Sequence, residues 1–120
     1  MGNVPVGVLR NQFKVQFTAI FQRIPPRNVV FSQILPRLKW RFSEDRRAMD
    51  LARRRINSAV ATFVIGSGGQ YVKYPDIYQH QQFFCDDGVH LNELGNSIFL
   101  NTLQGAIESF MDSEKQEFPC

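Results

Sequence analysis

Leu9, Phe13, Phe17, Ile20 and Ile24 recur at steps of four and three, the period of one face of an α-helix. Arg10, Gln12, Lys14 and Gln22 fall off that stripe and are expected to meet water. Pro25-Pro26 ends the segment, because proline lacks a backbone N–H and disfavours helix in the residue before it. Residues 28–35 are short, β-branched and uncharged, which predicts a strand covered on both faces. Ser43, followed by Glu44 and Asp45, suits a helix start. Met49, Ala52, Ile56, Ala59 and Phe63 continue at helical spacing. Val60 to Ile65 is so β-branched that a strand could begin inside this stretch, and the boundary stays open. Gly66-Ser67-Gly68-Gly69 reads as a turn, and Tyr71 to Tyr74 as a second strand ended by Pro75. Asn92 can cap a last helix in which Leu94, Ile98, Leu103, Ile107 and Phe110 share a side. Gly95 in its first turn points to close packing against a neighbouring backbone.

Helices alternating with strands predict a parallel sheet with crossover helices. Two strands cannot cover their own faces and edges, so the pattern is that of part of a larger sheet, with an exposed edge open to self-association. The 120 residues allow one domain, taken as 1–111, with a polar, disordered tail at 112–120. A hydrophobic fraction of 43%, with 11 Phe, excludes the disordered class. The formal charge of +3 is too mild to indicate a nucleic acid. Arg46, Arg47, Arg53, Arg54 and Arg55 read as a solvated helix face with acidic neighbours such as Asp50. Cys85 and Cys120 form no disulfide framework and no apolar run is long enough to span a bilayer, so the expected setting is cytoplasmic, with no membrane partner.

The chemistry concentrates in residues 83–92. Asp87 stands three residues before His90. A carboxylate on one ring nitrogen fixes the imidazole tautomer and steadies its charged form, so the two suit acid–base work. The same spacing equally describes a helix-entry aspartate beside a solvated ring. Asp86, Asp87, His90 and Glu93 offer only one histidine, so no metal or other cofactor is expected. Cys85 is a poor nucleophile candidate, since the two following carboxylates disfavour a thiolate. His80, among glutamines, reads as solvated. Ser67 has Ile65 where a nucleophile elbow requires glycine. Gln33, Pro36, Arg37 and Trp40 lie around the C-terminal end of the first strand, where open parallel sheets place functional groups; Trp40 could equally lie over the core.

The run Val29 to Arg37 with Trp40-Arg41, the tetrad Arg54-Arg55-Ile56-Asn57, and Asp86 to Gly95 resemble the C-terminal half of the SGNH (GDSL-like) hydrolases, notably esterase-type domains of fish and amphibian proteins. The resemblance covers nearly the whole chain. It implies a partial flavodoxin-like, three-layer α/β/α fold whose N-terminal strands are missing. It also implies a serine esterase-type site for a small ester, with Asp87 holding the imidazole and His90 as general base. The family's nucleophile block and early oxyanion glycine have no counterpart here, and Gly2-Asn3 is at most a remnant of its Gly-x-Asn-Asp block. Ser32 and Ser67 do not stand where the family places its serine, so hydrolysis by this chain alone is expected to be slight. The alternative is a non-catalytic module binding a protein or, through its arginine helix, a nucleic acid.

Overall fold

The computed structural model describes residues 5–40 and 44–120. Among these residues three α-helices and three short strands alternate: α1 Val6–Phe21, β1 Val30–Ser32, α2 Arg46–Gly66, β2 Gln70–Val72, α3 Glu93–Asp112 and β3 Glu117–Phe118. The strands are all parallel, in the order β1-β2-β3. Phe31 lies opposite Tyr71, and Tyr71 opposite Glu117.

Successive residues of a strand point to opposite faces, and β2 divides two cores on that principle. Tyr71 joins Phe31, Ile56, Val60, Ala61 and Val64 beneath α1 and α2. Val72 joins Tyr74, Phe83, Phe84, Ala106 and Phe110 beneath α3. The fold is therefore α/β, with helices packed on both faces of a small parallel sheet. No helix among the described residues is long and apolar enough to cross a membrane.

Several sequence expectations change in detail. The first helix stops at Phe21, where the Arg23 and Ile24 amides both turn back to the Ile20 carbonyl. Phe21 rather than Ile20 then joins the core beside Leu9, Phe13 and Phe17, leaving Ile20 and Ile24 exposed. Ser43, the expected cap of the second helix, lies outside the described residues, as do Gly2, Asn3 and Arg41. Asp45 caps α2 instead, accepting the Ala48 amide at 3.0 Å. Val60 to Ile65 stays helical, because Val60 and Val64 lock against the sheet with at most 1% exposure.

The first strand is shorter than the apolar run 28–35 predicts, and it is not covered on both faces. Phe31 is buried, whereas Val30 keeps 38% of its surface and Ser32 is exposed. Its far edge carries no partner strand among the described residues. α3 behaves as expected: the Asn92 side chain accepts the Gly95 amide at 2.9 Å, and a Cβ on Gly95 would run into the Phe83 carbonyl oxygen.

The segment read as a disordered tail holds the third strand. The Tyr71 amide donates to Gln116 O at 2.7 Å, and the Lys73 amide to Phe118 O at 2.8 Å. The Gln116 side-chain amide reaches the carbonyls of Ile65 and Gly69 at 3.0 and 2.9 Å. These bonds answer the exposed edge of β2, so a polar composition here marks an edge strand tied by side chains.

Candidate acid–base site

Residues 83–92 form a tight excursion between the second core and α3. Phe83 and Phe84 are its buried anchors. Phe84 and Leu91 bridge in antiparallel fashion, the Cys85 amide donates to His90 O at 2.8 Å, and the Asn92 amide to Phe83 O at 3.0 Å. The Asn92 side-chain amide also donates to Gln82 O at 2.7 Å. At the tip, Gly88 has φ of 70°, a conformation costly for any residue with a Cβ. Its carbonyl accepts from the amides of Leu38 and Lys39 at 2.8 and 3.1 Å, which docks the tip on the segment leaving β1.

Asp87 uses both carboxylate oxygens. Oδ1 accepts the Val89 and His90 amides at 2.9 and 3.0 Å, and Oδ2 meets His90 Nδ1 at 2.5 Å. The ring bond, then the two amides, hold the Asp87 carboxyl down at about 2, because all three favour its ionised form. With Nδ1 donating to a carboxylate, Nε2 is the nitrogen left to accept a proton. It has no hydrogen-bond partner among the described residues, and the His90 side chain is 78% exposed.

The other candidates are placed differently. His80 Nδ1 accepts the Gln82 amide at 3.1 Å, a local cap, and its ring lies against Tyr78 and Phe83. Ser32 Oγ shares a bond of 2.7 Å with the Tyr74 hydroxyl, and Ser67 Oγ donates to Phe63 O at 2.9 Å. Neither serine bonds to His90. The Arg37 guanidinium lies 5.3 Å over the Trp40 ring, Pro36 is buried, and Gln33 ties the Tyr71 hydroxyl to the Tyr74 amide. Of the residues after β1, the backbone of Leu38 and Lys39 reaches the Asp87–His90 loop. No group of three metal-ligating side chains occurs among the described residues.

Sequence reasoning missed a buried polar clamp. Asp50, Arg53 and Asn57 are no more than 8% exposed. Asn57 accepts the Ile34 amide at 2.9 Å and donates to the Ile34 carbonyl at 3.0 Å, a mimic of strand pairing. Arg53 donates to the same carbonyl at 3.0 Å and to Asp50 at 2.9 Å. Asp50 also receives Arg54, so two of the five arginines are committed internally. The signal was the 50, 53, 57 spacing, which puts these polar groups on the helix side that also carries Ile56.

A groove of about 810 Å³ beside this clamp is lined by Gln33, Arg53, Asn57, Ala61, Tyr71 and Tyr74, among others, and by neither Asp87 nor His90. Asp87 and His90, with 47% and 78% of their side chains exposed, stand on an open loop. No protein-family model, no curated protein and no solved structure matches this chain.

Proposed function

We propose that the chain is an SGNH-hydrolase-like domain, a partial flavodoxin-like fold, that supplies the general-base half of an esterase-type site. The observation that carries this is the Asp87–His90 bond with Nε2 left open. In this mechanism Nε2 takes the proton of an attacking hydroxyl or water as its oxygen bonds to the ester carbonyl. The imidazolium, steadied by Asp87, then gives that proton to the departing alkoxide as the carbonyl re-forms. The parallel sheet and the docking of the loop at the exit of β1 suit this reading, as does the order of the segments that resemble the family.

No serine bonded to His90 completes a triad among the described residues, so the rate is small. Loss of the nucleophile from such a triad costs on the order of 10⁶ in kcat. With p-nitrophenyl acetate and purified protein, slow hydrolysis is expected that His90→Ala largely removes and His80→Ala leaves alone. Equal rates for the protein and its His90→Ala variant would refute the assignment.

A second reading is self-association through β1. Val29 O and Gln33 N bond to β2, so the backbone groups of the alternate residues Val30 and Ser32 point away from the sheet. A second copy is the occupant this edge suits, by pairing of like strands.

A further inference from the structure

We propose that the cleft between α1 and α2 is a binding surface for the phosphate backbone of a nucleic acid. It is a groove of about 610 Å³ lined by Arg10, Lys14, Arg55, Ser58, Ala59 and Thr62. None of these residues is acidic, and none of the three cations forms an ion pair with a described residue, in contrast to Arg53 and Arg54, which Asp50 engages.

Arg10 and Lys14 sit one helical turn apart on α1, about 6 Å along its axis. Like charges at that spacing repel each other, and Arg55 faces them from α2. An anion with several charged oxygens in a row relieves all three at once. The sequence gathers its charge in the same way: Glu44 is the first acidic residue, so all 11 lie at or beyond it, while half of the 14 Lys and Arg precede it. The mild net charge that argues against nucleic acid averages over this separation, and a local basic field rather than the net value governs such contacts.

The groove has no aromatic lining. It offers nothing for bases to stack on, so the contacts are to phosphates and independent of sequence. Three phosphate contacts give a slope of log affinity against log salt of about −2.1 for a single strand to about −2.7 for a duplex, a loss of about 20- to 40-fold between about 50 and about 200 mM salt.

The test is fluorescence anisotropy with a labelled, mixed-sequence RNA oligonucleotide. The triple variant Arg10→Gln, Lys14→Gln, Arg55→Gln is expected to bind at least about tenfold more weakly at low salt and to lose most of the salt slope. A control removing the same charge elsewhere, Arg23→Gln, Arg27→Gln, Lys115→Gln, is expected to change binding less than about twofold. The single variant Arg55→Gln, with an unchanged circular dichroism spectrum, removes about one unit of slope. Equal losses in the two triple variants would overturn the proposal. So would a salt slope unchanged in Arg55→Gln, an absence of RNA binding at about 50 mM salt, or a groove-dependent affinity for phosphatidylserine vesicles alone.

Discussion

Asp87 gathers two backbone amides and the His90 ring on one carboxylate. Its carboxyl titrates at about 2, against an ordinary 3.8. A folded value below the unfolded one means that the ionised form favours the native loop. The contribution is fully present above about pH 4 and is lost as pH falls through about 2. Carbon-13 NMR of the Asp87 side chain is expected to show this low midpoint, and His90→Ala should move it upward, since the ring bond is the largest cause; an unmoved midpoint would separate the two residues. The spacing of Asp87 and His90 made the pair visible in the sequence. It did not reveal that Asp87 also binds the two amides that shape the turn, because that depends on Gly88 taking a left-handed conformation.

Among the elements, the helices were the most legible, because a period near 3.6 is repeated over several turns and one substitution does not erase it. The ends were less so. Val60 to Ile65 favours strand by local preference, and packing of Val60 and Val64 against the sheet overrides it. The three strands are too short for alternation to declare them, and β3 exists only because β2 presents an edge to Gln116 and Phe118. The clamp between α2 and Ile34 left only the 50, 53, 57 spacing in the sequence, because its partner lies 23 positions away. Replacing Asn57 by Ala leaves the half-buried Ile34 amide without its partner and should cost about 1–3 kcal/mol. Urea unfolding checks this, and a loss below about 0.5 kcal/mol would show the clamp to be dispensable.

For the whole molecule, the sheet is the unusual feature. Parallel sheets are ordinarily covered on both faces, yet among the described residues β1 keeps an open edge and Val30 is exposed. Ile107 and Met111 on α3 add further exposed apolar surface. Sedimentation velocity over a concentration series is expected to show a reversible dimer, abolished by Ser32→Pro, which removes an outward N–H from the edge. A monomer at every concentration would contradict edge pairing. The sequence led to the expectation of an exposed strand edge but did not say which; among the described residues the order β1-β2-β3 leaves it at β1.

The central claim is that Asp87 fixes His90 with Nε2 free to take a proton. Long-range proton–nitrogen NMR of the imidazole in the intact chain, above the pH at which the ring is charged, tests it most directly. The account predicts a ring protonated on Nδ1, with that preference lost in Asp87→Asn. A ring carrying its proton on Nε2, or one unaffected by the substitution, would contradict it.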